Sequence, residues 1–346
     1  MLNAAAGKLA FPHPSAPAPN SVVPIAPGIV WIRLALPFAL DHVNVYLIED
    51  GGGWALVDTG IRDDRTIAAW EELLDGELRD KPISRLIVTH FHSDHSGMAG
   101  WLCRRLRVPL YITHTEYLRS AALLQERHSD TSESWNRFYQ RAGLSAERTG
   151  LIARSGHRYM QHTTGLIPAR ILAAGDALTI GQRKWHALTG AGHSPEQLML
   201  YCPADGVLLS ADHILARISP NVSVYHAEPE ADPLGQYLTS LDDVPQSVDR
   251  DVLVLPGHNL PFRGLHARTA QLKLHHAARC DLIEAACRSA PQTVADLLPV
   301  LFPRPLDPQQ TSFAIGEAFA HVNYMVARRR LASSGGHDGG DQYRAV

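Results

Sequence analysis

The sequence has no excess of charge of either sign and no long hydrophobic run. Its 346 residues include 32 lysine and arginine residues and 35 aspartate and glutamate residues, so the formal net charge is −3 with the histidines neutral. This balance gives no electrostatic reason to expect a nucleic acid or an anionic membrane as a partner. No run of about 18 apolar residues occurs, so we expect no transmembrane helix and no membrane partner.

Cysteine is scarce, and its spacing excludes the common cysteine motifs. The four cysteines, Cys103, Cys202, Cys280 and Cys287, form no CxxC pair. We interpret them as reduced, mostly buried thiols of a cytoplasmic protein rather than as a disulfide framework or a zinc knuckle. The sequence also lacks a GxSxG motif, a P-loop and a credible GxGxxG motif. It therefore offers no serine nucleophile of the hydrolase type and no nucleotide-binding loop.

Both ends of the sequence lack the patterning of packed elements. Residues 1–27 are rich in proline and alanine and contain neither a basic leader region nor a continuous apolar segment. We expect them to form a flexible arm, and the absence of a secretory leader favours a cytoplasmic location. Residues 334–346 are glycine-rich and polar, which predicts a disordered tail.

Between these ends, β-rich runs alternate with helical patterns, which predicts an α/β fold. Runs such as "VNVYLIED" and "GGWALVDTG" are separated by glycine and proline signals. The strand pattern spans residues 28–263, but it stops from about residue 115 to residue 165, where a helical insertion is predicted. After Pro261 the pattern becomes helical again and predicts a small, mainly helical C-terminal unit over residues 264–333.

The stretch "LIVTHFHSDHSG", residues 86–97, concentrates potential metal ligands at the end of an apolar run. Side chains two positions apart on an extended segment point the same way, so His90 and His92 can face one ion. Asp94 and His95 lie where the chain must turn, and their side chains can face a second ion. Imidazole and carboxylate ligands together favour zinc or a related transition metal.

Three further polar residues follow apolar strands in the same manner. They are His193 in "GAGHSPEQL", Asp212 in "LLSADHI" and His258 in "VLVLPGHNLP". Each alone has an ordinary alternative, as a turn histidine, a strand-end cap or a loop residue. Together, and in this order behind the first motif, they predict one site built from loops at the edge of a packed sheet.

These motifs resemble those of the metallo-β-lactamase-fold hydrolase superfamily. The resemblance rests on "THFHSDH", "GHSPEQL", "SADH" and "PGH", together with "VDTG" at residues 57–60, and covers roughly residues 28–263. It implies a four-layer αββα sandwich with two metal ions in a cleft at one edge. The C-terminal unit resembles the winged-helix-type domain of the lactamase-like hydrolase branch of this superfamily.

The resemblance also implies a complete set of ligands for two divalent ions. One ion would be held by His90, His92 and His193, and the other by Asp94, His95 and His258. Asp212 would bridge the two ions. Zinc is the expected ion, although the same ligand types accept iron or manganese.

Three more polar residues lie beside these motifs, and each has two interpretations. For Asp58 the resemblance implies support of a ligand or of its loop, and an ordinary turn role is the alternative. His42, in "LDHVNVY", is predicted equally as a substrate contact and as a plain loop histidine. His213, next to Asp212, is favoured as a structural residue, with a proton donor as the alternative.

The ligand set predicts a hydrolase that needs no side-chain nucleophile. One zinc ion lowers the pKa of water from about 15.7 to about 7, so a hydroxide bridging two zinc ions forms near neutral pH. Asp212, as the bridge, and Asp94, as a proton shuttle, are the candidate catalytic residues. A thiolate leaves readily without a general acid. We therefore expect a small-molecule thioester of the acyl-CoA or acylglutathione type as the substrate, ahead of a lactone.

Two other functions stay open. A mitochondrial member of the lactamase-like branch is an endoribonuclease, so a metal-dependent endoribonuclease or phosphodiesterase is the alternative enzyme. The balanced charge disfavours this alternative, because binding to a phosphate backbone requires many lysines and arginines. The non-enzymatic alternative is a metal-binding scaffold, and homodimerisation also stays open.

The helical insertion carries several large side chains with two interpretations. The favoured interpretation is a small core of its own against the body of the protein. The alternative is a lid that supplies an apolar wall for an acyl chain. The side chains are Trp135, Phe138, Tyr139, His157, Tyr159 and Met160.

Overall fold

The computed structural model describes residues 7–126, 132–155, 162–248, 250–335 and 340–346. Within them, two β-sheets pack face to face, and helices cover the outer face of each sheet. This is the four-layer αββα sandwich that the motifs predicted, and the predicted α/β fold class is confirmed.

The first sheet is mixed, and its strands lie in the order of the chain. Its seven strands are β1 (Val22–Ala26), β2 (Ile29–Ala35), β3 (His42–Asp50), β4 (Gly53–Val57), β5 (Ile83–Ile87), β6 (Leu110–Thr113) and β7 (Ala169–Leu172). Strands β1 to β4 pair antiparallel, and β4 to β7 pair in parallel. The parallel strands therefore end at one edge of the sheet, where their loops can meet.

The second sheet contains five strands. They are β8 (Ala177–Ile180), β9 (Arg183–Gly190), β10 (Gln197–Cys202), β11 (Val207–Ala211) and β12 (Leu253–Pro256). Strands β8 to β11 pair antiparallel, and β12 pairs in parallel with β11 at the edge of the sheet. Two shorter strands, β13 (Leu331–Ser334) and β14 (Gln342–Ala345), form a separate antiparallel pair.

Strand β3 shows how one strand contributes to two cores. Val43, Val45 and Leu47 face the helices that cover the first sheet, whereas Tyr46 and Ile48 face the second sheet. The alternation follows from the period of two along a strand. Because both faces are covered, the strand needs a continuous apolar run rather than alternating apolar and polar residues.

The described residues contain ten helices. They are α1 (Asp64–Asp75), α2 (Ser93–Ser96), α3 (Ala99–Leu106), α4 (His114–Glu126), α5 (Ser132–Arg141), α6 (Ala146–Ser155), α7 (Pro233–Ser247), α8 (Leu265–Ser289), α9 (Val294–Leu301) and α10 (Pro308–Ala327). Trp70 of α1 and Leu102 of α3 are buried against the first sheet. Tyr237 of α7 and Leu272 of α8 belong to the core on the outer face of the second sheet. In the described part of the chain, no helix combines the length and the apolar character needed to cross a membrane.

The predicted insertion is helical in its described part, and its core is shared with the C-terminal helices. Phe138 and Tyr139 of α5 are buried, and the Phe138 ring lies 4.9 Å from the ring of Phe319 in α10. The Tyr139 hydroxyl lies 2.9 Å from the Ser312 hydroxyl of the same helix. Phe138 and Tyr139 therefore pack in a core that they share with the C-terminal helices. His157, Tyr159 and Met160 lie outside the described residues.

The N-terminal segment differs from the predicted flexible arm over residues 1–27. Its last part forms the edge strand β1, and Val23 pairs with Trp31 of β2. Further back, Ala10 forms a bridge with Arg263, with backbone N···O distances of 3.1 and 2.8 Å. The prediction rested on the proline-rich composition and overlooked a short β-branched run. Pro24 is tolerated in this strand because an edge strand leaves part of its backbone unpaired.

The predicted disordered tail over residues 334–346 is wrong for the residues that the structure describes. Strand β14 pairs with β13, and Tyr343 is buried with the C-terminal helices. Asp341 forms an ion pair with Arg141 of α5 at 2.9 Å. The prediction of disorder rested on the glycines around residue 335. It overlooked Tyr343, whose apolar ring packs against the C-terminal helices. Three helices followed by a hairpin suit a winged-helix unit, and that resemblance stays a prediction.

Candidate metal centre

The segment after β5 brings the first motif to the edge where the two sheets meet. His90 and His95 are fully buried, and the single helical turn α2 carries Asp94 and His95. The turn is fixed by the backbone N–H of His95, which donates to the carbonyl of His92 at 3.0 Å. The next position, Gly97, requires glycine, because a Cβ atom there would lie 2.2 Å from the Ser93 carbonyl oxygen.

Three imidazoles converge to form the first group. His90 Nε2 lies 2.9 Å from His92 Nδ1, and His92 Nδ1 lies 3.0 Å from His193 Nε2. The triangle closes with 3.3 Å between the Nε2 atoms of His193 and His90. His193 Nδ1 donates to the carbonyl of Asn221 at 2.7 Å, which directs Nε2 into the triangle. Nitrogen atoms this close and converging are suited to share one cation.

A second group of ligand atoms adjoins the first and contains carboxylates. His258 Nε2 lies 3.3 Å from Asp94 Oδ2 and 3.1 Å from Asp212 Oδ2. His95 Nε2 lies 3.6 Å from Asp94 Oδ2. Asp212 Oδ2 is also 3.6 Å from His193 Nε2, so this aspartate touches both groups. The structure thus brings together all seven side chains of the sequence prediction, and their role as ligands stays a prediction.

Two buried atoms of this cluster show that its residues fit a cation. Among the described residues, neither His95 Nε2 nor Asp212 Oδ1 has a hydrogen-bond partner. The two atoms lie 3.4 Å apart. A buried polar atom without a partner is costly, and a metal ion between a nitrogen and a carboxylate oxygen would satisfy both.

The charges of the second group differ from those of the first. Burial alone would lower the pKa of His258, but the carboxylates of Asp212 and Asp94 raise it to about 10. Burial would raise the pKa of Asp212, but the charges of His258 and His95 hold it well below its usual value. Burial, followed by the neighbouring imidazoles, lowers the pKa of His90 well below the usual value. The first group therefore presents neutral imidazoles, whereas the second pairs ionised carboxylates with a protonated His258, whose proton a bound cation would displace.

Asp58 contacts His95 of the second group, which suits the support role that the resemblance implies. One of its oxygens accepts the backbone N–H of Thr89 at 2.8 Å, and the other accepts the Thr89 hydroxyl at 2.8 Å. His95 Nδ1 lies 2.8 Å from that second oxygen, so the carboxylate fixes the orientation of the imidazole. Asp58 has a φ of 62°, which is costly for a residue other than glycine.

The backbone is strained at two further positions of the same site. Ala211, which precedes Asp212, has a φ of 46°, and Asn259, which follows His258, has a φ of 67°. Residues in this region of φ persist only when the surrounding structure holds them in place. The strain therefore lies where two of the predicted ligands must be aimed at the cluster.

His42 contacts the loop of His258 through both its backbone and its ring. Its backbone carbonyl accepts His258 Nδ1 at 2.6 Å, and its Nε2 accepts the backbone N–H of Asn259 at 2.8 Å. Its Nδ1 lies 2.7 Å from the carboxylate of Asp41. Of the two interpretations of His42, the structure favours the structural one.

His213 is buried beside the site, and its favoured structural role stays a prediction. Burial lowers its pKa to about 3, so its imidazole is neutral at physiological pH. Its backbone carbonyl accepts the hydroxyl of Tyr237 at 2.9 Å. A Cβ atom at Gly190 would lie 2.5 Å from the His213 ring, so a glycine is required opposite this side chain.

Several supporting residues were missed by the sequence reasoning. The Asn44 side-chain amide donates to the carbonyls of Pro256 and Asn259 at 2.9 Å, and the Tyr46 hydroxyl donates to Pro256 at 2.8 Å. With its amide oriented to satisfy both groups, Gln197 accepts the backbone N–H of Asp212 at 2.7 Å. The available signal was polar residues at strand positions that are otherwise apolar, as in "HVNVYL".

Comparison with known families identifies the superfamily of the chain. A family model described as "Metallo-beta-lactamase superfamily" matches residues 39–258, which is more than half of the chain. The chain belongs to the metallo-beta-lactamase superfamily. A second model, described as "Metallo-beta-lactamase-like, C-terminal domain", matches residues 280–346. The superfamily predicted from the motifs is confirmed.

Individual proteins of the metallo-beta-lactamase superfamily match most of the chain. The crystal structure of a beta-lactamase domain protein from Burkholderia ambifaria is 38% identical, has a TM-score of 0.90 and covers 98% of each chain. The probable metallo-hydrolase YqjP of Bacillus subtilis (strain 168) is 23% identical over 317 residues, which are 88% of this chain and 94% of YqjP. The chain is a metallo-hydrolase of this superfamily, and its histidine and aspartate groups suit divalent metal ions.

A third relative matches a shorter region. The atrochrysone carboxyl ACP thioesterase of Aspergillus terreus (strain NIH 2624 / FGSC A1156) is 32% identical over 89 residues. These residues are 25% of this chain and 27% of the thioesterase. The similarity therefore concerns a part of each protein and not their whole architecture.

Proposed function

We propose that this metallo-hydrolase cleaves the thioester bond of a small acyl thiol, of the acyl-CoA or acylglutathione type, with a lactone as the next candidate. The observation that carries the proposal is the arrangement of the seven predicted ligand side chains, most of them buried, in two adjoining groups. Bound divalent ions, zinc foremost, would supply a Lewis acid and a water molecule that ionises near neutral pH.

The residues of the chain would divide the work as follows. His90, His92 and His193 would hold one ion through three neutral nitrogens. The second group would hold the other ion, and Asp212 would contact both, since its carboxylate lies within 3.6 Å of ligand nitrogens on each side. Asp58 would keep the imidazole of His95 oriented. The lowered pKa of Asp94 favours a carboxylate that binds a cation over one that carries a proton.

The environment of the nearby histidines favours a substrate with a good leaving group. His42 and His213 lie beside the two groups without belonging to either. His42 has both ring nitrogens in contact with Asp41 and Asn259, and burial keeps His213 as a neutral imidazole rather than the imidazolium that acts as a general acid. A thiolate departs without protonation, because the pKa of a free thiol is about 8.5. An alkoxide or a ribose oxygen needs a proton donor, and these two histidines do not offer one.

The partial similarity to a thioesterase points in the same direction, although it spans 25% of the chain. The formal net charge of −3 supports a small molecule rather than a nucleic acid as the substrate. A cytoplasmic location, where acyl thiols are made and used, and the state of oligomerisation belong to this proposal as expectations.

A substrate panel tests the proposal. Zinc-loaded and manganese-loaded protein would be assayed with an acyl-CoA, an acylglutathione, a lactone and a single-stranded RNA. We expect thioesters to be cleaved with the highest kcat/KM, measured by release of free thiol. Cleavage of RNA with no release of thiol would contradict the proposal and favour the endoribonuclease alternative.

A further inference from the structure

A carboxylate outside the seven-residue cluster connects the loops that carry the first group. Glu116 lies in the first turn of α4, directly after strand β6. Its exposure is 0%, although glutamate is rarely buried unless it is paired. Neither the motifs nor the family resemblance point to this residue, and it belongs to none of the potential ligand groups among the described residues.

The partners of Glu116 lie next to the predicted ligands. Its Oε2 accepts the backbone N–H of Phe91 at 2.9 Å, and Phe91 lies between His90 and His92. Its Oε1 accepts the Ser194 hydroxyl at 2.8 Å and the backbone N–H of Glu196 at 2.7 Å. One carboxylate thus binds two loops about a hundred positions apart, each adjacent to imidazoles of the first group.

All three partners of Glu116 are donors, so its two oxygens act only as acceptors. Hydrogen bonds from neutral donors to a buried carboxylate are stronger than those between neutral groups. Burial raises the pKa of Glu116 to about 7, whereas the three donors favour its ionised form. One further bond joins the same loops, from the backbone N–H of Leu198 to the carbonyl of Thr89 at 2.8 Å. That bond does not involve Phe91 or Ser194, which lie next to the predicted ligands. Glu116 holds these two residues.

We propose that Glu116 is a positioning residue that sets the distance of His90 and His92 from His193 and thereby the metal affinity of these three imidazoles. The inference rests on the metal-binding role proposed above for the first group. It also gives the insertion a function at its first turn, because α4 delivers the carboxylate that holds the site together.

The substitution Glu116→Gln tests the proposal with almost no change of volume. The side-chain oxygen can still accept from Ser194 and Glu196, but the new NH₂ group then faces the N–H of Phe91. Two donors cannot bond to each other, so one backbone N–H, that of Phe91 or that of Glu196, loses its acceptor in either orientation of the amide. We expect the affinity of the first group for Co²⁺ to fall by about 10-fold to 100-fold. The Co²⁺ absorption spectrum should shift, and kcat should fall more than KM changes.

The matched control is Glu317→Gln, which makes the same chemical change at a glutamate of α10 outside the metal centre. The Glu317 carboxylate lies 2.9 Å from Arg279 and belongs to none of the potential ligand groups among the described residues. We expect its Co²⁺ affinity and spectrum to match those of the unmodified protein. Titrations above about pH 8 keep Glu116 ionised, so that protonation does not mask the effect.

Three outcomes are decisive. A Glu116→Gln protein with unchanged Co²⁺ affinity and spectrum would overturn the inference, even if its melting temperature fell. If that variant does not fold, Ser194→Ala removes one of the three contacts and should weaken Co²⁺ binding in the same direction; unchanged binding there would overturn the inference too. Unmodified protein that binds no Co²⁺ would instead refute the metal-binding role of the cluster itself.

Discussion

Two sets of histidines in the described part of the chain have contrasting surroundings. Five histidines of the metal centre lie among three aspartates, Asp58, Asp94 and Asp212. The second set is the pair His276 of α8 and His321 of α10, whose Nδ1 and Nε2 atoms lie 3.1 Å apart. Their exposures are 1% and 0%, so this pair is buried as deeply as the histidines of the metal centre. Burial alone does not distinguish the two sets.

The neighbouring charges distinguish them. In the metal centre, burial would lower the pKa of His258, but Asp212 and Asp94 raise it to about 10. In the second set, burial and then the charge of His321 lower the pKa of His276 to about 2. Arg279, which lies 2.9 Å from Glu317, adds a positive charge near that pair. A histidine cluster is therefore suited to a cation when carboxylates surround it, and to a neutral hydrogen bond when they do not.

The largest effect should come from removing a predicted ligand. We expect His92→Ala or Asp212→Ala to reduce turnover to the level of the uncatalysed reaction while the fold survives. Each substitution removes an atom that would bind the cation. Thiol release measures turnover, and circular dichroism measures the fold. The control is His276→Gln, which changes an equally buried histidine and should keep its activity. Retained activity in Asp212→Ala would refute the proposed site.

A smaller effect should follow from Asp58→Asn. The substitution removes the negative charge beside His95 and replaces one acceptor oxygen with a donor. We expect metal affinity of the second group to fall by about 10-fold to 100-fold, measured by competition with a chromogenic chelator. Asp41→Asn is the matched control, since it removes an exposed carboxylate that contacts His42, and its effect should stay within roughly twofold. Equal effects of the two substitutions would contradict the support role of Asp58.

The smallest effect concerns the stability of the metal-free protein in acid. The pKa values of His276 and His321 in the folded state, about 2 and about 3, lie below the ordinary histidine value of 6.5. Below about pH 6.5, protons therefore bind to the unfolded chain and not to this pair in the folded chain. As the pH falls below this value, each histidine should lower the free energy of unfolding by about 1.4 kcal/mol per pH unit. Urea unfolding between about pH 7 and pH 5 measures the slope.

The double variant His276→Gln with His321→Gln checks the origin of this slope. We expect the variant to lose less stability per pH unit than the unmodified protein does. The raised pKa of His258 acts in the opposite sense, because the stability that it adds is present below about pH 6.5 and is lost as the pH rises through about 10. An identical slope in the double variant would show that the pair does not control stability in acid.

The site could be predicted where its chemistry is local in the sequence. His90, His92, Asp94 and His95 occur within six positions after one strand, so their pattern is visible without a structure. Glu116 has no such pattern. It lies in an ordinary helical run, and its partners are 25 to 80 positions away along the chain. Contacts of this kind depend on how β6, α4 and β10 pack, which no local pattern encodes.

The fold was predictable for a related reason. Continuous apolar runs such as that of β3 indicate strands that are covered on both faces. Such strands predict a layered α/β protein. The tail was predicted wrongly because glycine content describes an average over residues 334–346. The position of Tyr343 depends on one aromatic side chain finding a space between helices that are distant in sequence.

The core that α5 shares with α10 has a consequence for the synthesis of the protein. Phe138 cannot reach its packed position until Phe319, 181 residues later, has been made. A ribosome therefore completes both β-sheets while the apolar face of α5 still lacks its neighbour. Newly made chains would expose this face for as long as translation of the intervening segment takes, which makes it a natural contact for chaperones.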